Sequence, residues 1–516
     1  MNRQRTGLAS PQLQREEGTI VKDWGGRLPI ALIYPSSYDI GMSSLGVHAI
    51  YRLLNRDHNV VCERVFWGKD NALPLSLESG RPLSDFPVLA FSVTYELDYF
   101  HIPEILKAAG IPLFASERDA SHPVIIAGGP CITANPMPLA PFFDALCIGE
   151  AEPIIPAILP VLAETGTLRR NELRQRLSAL PGVYVPQFYE GKPVRRQYAE
   201  NLDDFPVSSV IMTRDTEFGD MYLIEAERGC NWGCRFCLVG NTFSPVRFRA
   251  RETLLAQAKE GLKYRGRLGL VGPDVSGYPE LEELLGELGE MGAGISVSSL
   301  RVKPFPRTVL RELVRSGATT VTLAPETGAP HLWCTMGKGI NRDDVLSAVS
   351  SVAEEGIRQL KLYFMVGLPA ETDEDVTEIA RLALMCKEII DRKRAGARLI
   401  LSVAPFVPKA GTPWERLPMA PLSVLNRRLS GLRDSLPARG ISLKLESPAW
   451  SEVQAVLARG GTELANVLAD AGKLSLASWR RAGEKHHLDI SFYAHERWGH
   501  GVKLPWEVRD LGVKTG

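Results

Sequence analysis

From Leu28 to about Ala163, short and nearly continuous apolar runs alternate with amphipathic stretches. PIALIYPS (from Pro29), NVVCERVF (from Asn59), PVLAFSVTY (from Pro87), PVIIAGGP (from Pro123) and DALCIGE (from Asp144) read as strands, with GVHAIYRLLN, LDYFHIPEILKAAG and PIIPAILPVLAE as helices between them. Apolar strands separated by helices predict a doubly wound parallel sheet, which binds ligands outside the carboxyl ends of its strands. A second strand–helix series starts at Met221 with MYLIEAERG and continues through LGLVGPDVSG, GISVSSLRV, TTVTLAPETG, LKLYFMVGLP and LILSVAPFVP. Six such units in about 200 residues predict a partial (β/α)6 barrel, whose chemistry belongs at the carboxyl ends of its strands.

The patterning divides the chain into an N-terminal segment at 1–27, a doubly wound domain at 28–165, a linker at 166–215, the partial barrel at 216–419 and a mainly helical extension at 420–516. In the linker, VYVPQFYEGKPVRRQYAE reads as a hairpin turning at Glu190-Gly191-Lys192. Sixty basic and sixty acidic residues balance to zero net charge, which gives no electrostatic support for nucleic acid or an anionic membrane as partner. No apolar run approaches a membrane span and the N-terminus has no apolar signal region, so the chain reads as cytoplasmic.

The candidate chemistry is concentrated in EAERGCNWGCRFCLVG, where Cys230, Cys234 and Cys237 follow the first barrel strand in Cys-x3-Cys-x2-Cys spacing. A cubane iron–sulfur cluster normally takes four cysteines, so three leave one iron open to a reacting ligand. Zinc would call for a second cysteine pair or added histidines, and disulfides for an oxidising compartment. Cys62, Cys131, Cys147, Cys334 and Cys386 are scattered and read as buried or incidental thiols.

This cysteine pattern, with Phe236 before the last ligand, resembles the radical S-adenosylmethionine (SAM) enzymes. The resemblance implies a 4Fe–4S cluster on Cys230, Cys234 and Cys237, SAM chelated at the open iron, and its reductive cleavage to a 5′-deoxyadenosyl radical. A small reductant such as flavodoxin or ferredoxin would supply the electron. It also implies SAM-binding roles for strand-end residues: Phe236 under the adenine, Gly272 and Asp274 toward the amine, Ser299 and Arg301 toward the carboxylate, Glu326 toward the ribose or amine, and Met365 and Gly367 along the adenine. Guanidinium suits a carboxylate, and a carboxylate among apolar strand residues is costly unless paired. Arg247, Arg249 and Arg251, which follow the cluster loop at spacings of two, read better as a solvated arginine face than as site residues.

YPSSYDIGMSSLGVHAIYRLL, LAFSVTYE and IIAGGPCITANPMPLAPFFDALCIGEAE resemble the cobalamin-binding, flavodoxin/Rossmann-like domain that precedes many radical SAM cores. By that resemblance Ser92, Thr94, Gly128, Gly129 and Gly149 surround the corrinoid and its nucleotide tail. Many such domains supply a cobalt-ligating histidine, whereas RVFWGKDNALPL contains none. Cobalamin without a lower protein ligand, a domain that lost the cofactor, and another ligand all remain open on this ground. PFVPKAGTPWERL and LPWEVRDLGV extend the likeness, from about Leu28 to Val513, to a family of such proteins without a settled substrate. His486, His487, His495 and His500, with Trp479 and Trp498, are candidate tail contacts, each histidine reading more simply as structural.

The expected function is cobalamin-dependent methylation of an unactivated carbon or phosphorus centre. Oxidative cyclisation or rearrangement without methyl transfer is the alternative. A methylthiotransferase is disfavoured because Cys62, Cys131 and Cys147 fall in separate units rather than in a second cluster motif, and a non-catalytic sensor is disfavoured by the intact strand ends.

Overall fold

The computed structural model describes residues 12–68, 72–393 and 396–512. Lys69–Asn71 of the RVFWGKDNALPL stretch, the first eleven residues and the end of the chain from Val513 lie outside them.

The first apolar runs form β1 (Leu28–Tyr34), β2 (Val60–Phe66), β3 (Val88–Ser92), β4 (Val124–Gly128) and β5 (Ala145–Cys147), parallel in the order β2-β1-β3-β4-β5. The order reverses between β1 and β3, so the carboxyl ends of those strands flank a topological switch point, the usual ligand crevice of open α/β sheets. β6 (Val183–Tyr184) adds antiparallel to β5, with Cys147 opposite Val183. The expected hairpin does not form: Val194–Arg195 pairs in parallel with Arg509–Asp510 from the far end of the chain. A partner so distant in sequence leaves no mark in the local pattern.

The second series gives β7 (Tyr222–Glu225), β8 (Arg267–Val271) and β9 (Gly294–Val297), then β10 (Thr320–Glu326), β11 (Gln359–Val366) and β12 (Arg398–Pro405). All neighbours are parallel, and a bridge between Leu300 and Leu323 links the two halves. A seventh strand, β13 (Ile441–Leu445), joins β12 in parallel within the stretch expected to be mainly helical. Its five residues alternate apolar and polar, a pattern too short to stand out among the flanking helices.

Along β11, Leu360, Leu362, Phe364 and Val366 are at most 3% exposed on the outer, helix-covered face, whereas Lys361, Tyr363 and Met365 face inward. The C-terminal helices return to the N-terminal domain: Asn135 Nδ2 donates to the Ala458 and Gly460 carbonyls, and Arg509 Nε to that of Ala134. Among the described residues no helix is long and apolar enough to cross a membrane.

Candidate functional site

One face of the N-terminal sheet and two helices, Leu45–Arg56 and Ala151–Leu162, enclose a cavity of about 330 Å³. Ile30, Leu32, Ala90, Ile126, Ile155 and Ile158 line its apolar length. Ser92, Thr94, Gly128, Gly129 and Gly149, the five residues expected around a corrinoid, all border this one cavity. At the carboxyl ends of β1 and β3 the Tyr34 and Thr94 hydroxyls hydrogen-bond at 2.7 Å. Gly129 and Gly149 carry φ of +115° and +127°, and a Cβ there would strike the backbone oxygens of Val93 and Gln197. The close approach that demands glycine is therefore to the chain's own backbone.

Among the described residues no histidine lines the cavity. Buried His48 binds the Met42 carbonyl, and desolvation pushes its pKa down to about 4. Arg64, which begins RVFWGKDNALPL, is buried between Glu16 and Glu78, each 2.7 Å away.

The mouth of the cavity is charged and leads to the cysteine loop. Arg228, two residues before Cys230, contacts Glu150 at 2.8 Å, Glu152 at 2.9 Å and Glu225 at 2.8 Å, and all four residues line the cavity. Arg247 grips both oxygens of Glu150, at 2.7 and 3.0 Å, and Arg249 pairs with Glu225. Arg247 and Arg249 are buried, and Arg251 is half-buried among Glu252, Glu280 and Glu287, which replaces the expected solvated arginine face. Arg247 and Arg228 hold the Glu150 carboxyl below its ordinary pKa against the cost of burial. A second seam joins the loop after β3 to the end of β12. Lys409 Nζ reaches Glu96 at 2.6 Å and Gln454 donates to the same carboxylate at 3.0 Å, while burial pushes neighbouring Asp98 up to about 7.

The cluster loop is shaped by backbone bonds: Cys237 N–H donates to the Cys234 carbonyl, Arg235 N–H to that of Met336, and Asn241 Nδ2 to that of Cys237 at 2.7 Å. Cys230, Cys234 and Cys237 are all half-buried free thiols, and ionising Cys237 raises the proton affinity of both others. Burial pushes Cys230 up and Cys234 up to about 11, so iron binding must displace their protons. A soft, three-thiolate donor set fits an iron–sulfur cluster. Among the described residues no three His, Cys, Asp or Glu side chains close on a single metal ion.

Asp274 and Arg301 are brought together and paired with each other, Arg301 Nε lying 3.2 Å from the carboxylate. The Trp232 indole donates to Asp274 at 2.9 Å, and Arg301 stacks 3.8 Å over that ring. Buried Glu227 lies behind Gly272 and accepts from the Asp274 N–H; desolvation pushes it up to about 7, with Arg301 acting the other way. Glu326 adopts φ of +71°, a strained conformation for a non-glycine residue that is concentrated at functional sites, and binds Lys338 at 2.8 Å. Phe236 is half-buried with its ring centroid 6.4 Å from that of Trp414. Met365 is half-buried at the end of β11, Gly367 donates its N–H to Glu371, and Ser299 lies half-buried beyond β9. Glu227, Trp232, Arg228 and Lys338 escaped the sequence reading; the acidic and basic residues inside EAERGC were the visible signal.

The other tail candidates separate. His486 pairs with Asp470 at the surface, His487 and His500 are exposed, and Trp479 and Trp498 are buried in the core. His495 bridges Glu452 Oε1, at 2.7 Å, and the Met419 carbonyl. The Glu452 hydrogen bond raises its pKa, so the contact stabilises the fold fully below the ordinary histidine value and is lost as pH rises through the folded one. The Tm difference between wild type and His495→Gln should therefore be largest below about pH 6 and fade in the alkaline range. Cys62, Cys131 and Cys147 are all held protonated by burial, and Cys131 hydrogen-bonds Tyr99.

Two family profiles match: one described as radical SAM proteins, N-terminal, over residues 46–186, and one described as the radical SAM superfamily, over residues 224–383. An uncharacterized protein of Methanocaldococcus jannaschii is 31% identical over 445 residues, spanning 85% of this chain and 90% of that one. A ribosomal protein uS12 methylthiotransferase, RimO, of Acaryochloris marina is 28% identical over 262 residues, 47% of this chain and 53% of the relative. The cobalamin-dependent S-adenosylmethionine radical enzyme OxsB, solved with aqua-cobalamin and S-adenosylmethionine, shares the fold at a TM-score of 0.53 and 13% identity, over 91% of this chain and 72% of that one.

Proposed function

Because the chain belongs to the radical SAM superfamily, we propose that it cleaves SAM at a 4Fe–4S cluster on Cys230, Cys234 and Cys237 and uses a cobalamin held by the N-terminal sheet to methylate an unactivated carbon or phosphorus centre. When bound, the cluster supplies the electron that splits the SAM sulfonium, and the corrinoid supplies a methyl carrier.

The observation that carries this reading is the single cavity beneath the sheet's carboxyl ends, whose charged mouth is shared with Arg228 of the cluster loop. Its apolar length suits the aromatic tail of a corrinoid, and Ser92 and Thr94 offer hydroxyls to the polar parts. With no imidazole in the lining among the described residues, the cavity would hold a corrinoid by apolar packing and hydroxyl contacts.

In the barrel, the Asp274–Arg301 pair is complementary to an amino-acid zwitterion: Asp274 would take the SAM ammonium and Arg301 its carboxylate. Trp232 orients both, and Glu227 holds the Asp274 backbone in place. Glu326, held by Lys338, is the ribose-facing carboxylate, and Phe236, Met365 and Gly367 would border the adenine.

Filling the cavity tests the corrinoid half of this reading. Ala90→Phe inserts a ring between β3 and the covering helices and is expected to reduce corrinoid retained after anaerobic reconstitution by at least about tenfold. Undiminished corrinoid absorbance in that variant, or none in the wild type, would refute it. Formation of 5′-deoxyadenosine without S-adenosylhomocysteine would assign oxidative rearrangement in place of methyl transfer.

A further inference from the structure

The inner face of the barrel's second half carries two lysines, Lys361 and Lys444, that stand in no ion pair among the described residues. β11 lies between β10 and β12, and its outer face is covered by the helix Leu422–Ser435 among others, so an inward side chain can be exposed only to the barrel's interior. Tyr363 is nevertheless 37% exposed, which makes that interior an open, solvated lumen. Tyr363, Ser402 and Lys444 form one cross-strand row, and Lys361 Nζ lies 4.8 Å from the Tyr363 ring centroid on the same face.

Three carboxylates at the strand ends are matched by cations of their own: Glu225 by Arg228 and Arg249, Asp274 by Arg301, and Glu326 by Lys338. Among the described residues Lys361 packs over the Tyr363 ring, and neither it nor Lys444 takes part in an ion pair. Glu446, next in line on the Lys444 side, is a rim residue whose charge falls on Tyr95 of the N-terminal domain. Two ammonium groups on neighbouring cross-strand rows, on a face that also carries a hydroxyl and a phenol, make a positive patch suited to an anion.

We propose that Lys361 and Lys444, with Tyr363 and Ser402, hold a phosphate or carboxylate of the substrate within the lumen. This deepens the reading above, since it places the anionic end two to four residues below Met365. At about 3.3 Å per residue, that is roughly 7–13 Å beneath the position assigned to the adenine. The substrate would thus be a small anionic molecule whose reacting centre and charged group are separated by about that span.

The test is isothermal titration of the reconstituted holoenzyme with inorganic pyrophosphate and, separately, with tricarballylate. Saturable, salt-sensitive binding of at least one anion is expected. It should weaken by about tenfold or more in the double variant Lys361→Met/Lys444→Met, and survive in Lys361→Arg/Lys444→Arg and in the surface control Lys393→Met. The anion that binds identifies phosphate or carboxylate as the group recognised. Equal affinity in the methionine double variant, or no binding of either anion by the wild type, would overturn the proposal. Formation of 5′-deoxyadenosine in the same preparations reports separately on the radical chemistry, so loss of that product with lysine-dependent binding intact would sink the functional reading alone.

Discussion

Replacement of Cys234 by alanine is expected to abolish reductive SAM cleavage, to the background of protein without a cluster. Three thiolates hold three of four irons in the proposed site, and removing one leaves a second iron without a protein ligand. The loss should therefore appear first as reduced iron and sulfide after reconstitution and then as absence of 5′-deoxyadenosine. Cys334 is the matched control. It is an exposed thiol on the short helix Pro330–Met336, whose last residue accepts the Arg235 N–H beside the loop. Cys334→Ala should keep full iron content and activity. Equal loss in both variants would point to damage of the loop's packing, and retained cleavage in Cys234→Ala would remove the cluster assignment.

The second large effect is structural. Glu150 is 5% exposed and is gripped by Arg247 and Arg228, with the Arg196 guanidinium 3.9 Å away. Glu150→Ala strands these arginines in a region where removing one partner of a buried ion pair costs about 3–5 kcal/mol. The predicted loss should be measured as a fall in unfolding free energy by denaturant. Glu164→Ala, which removes the exposed partner of Arg176, should cost about 0–1 kcal/mol. Because Glu150 starts the helix over the cavity and Arg228 starts the cysteine loop, Glu150→Ala should also weaken corrinoid retention and cluster assembly together. Loss of neither would separate the two sites.

The parts of the fold legible in the sequence are those written in local periodicity. The first five strands are short, mostly apolar runs, interrupted in the second by Glu63 and Arg64, and the six expected barrel strands are bounded by glycine, proline or polar residues close to where the structure ends them. The cysteine loop was legible for the same reason, since its three thiols lie within eight residues. What escaped depends on distant partners. Arg247 and Arg249 look like a solvated face until Glu150, 97 residues away, and Glu225, 24 residues away, meet them at the seam. Val194–Arg195 finds its partner at Arg509–Asp510, and β13 is too brief to announce itself. Asp274 and Arg301 were each visible as a candidate, but their mutual pairing, and the Trp232 ring joining them, belongs to the folded barrel.

The most direct test is product analysis of the anaerobically reconstituted protein, reduced by one-electron donation in the presence of SAM. The expected result is 5′-deoxyadenosine that depends on reductant and on Cys230, Cys234 and Cys237. A fully assembled cluster that binds SAM and yields no 5′-deoxyadenosine would contradict it.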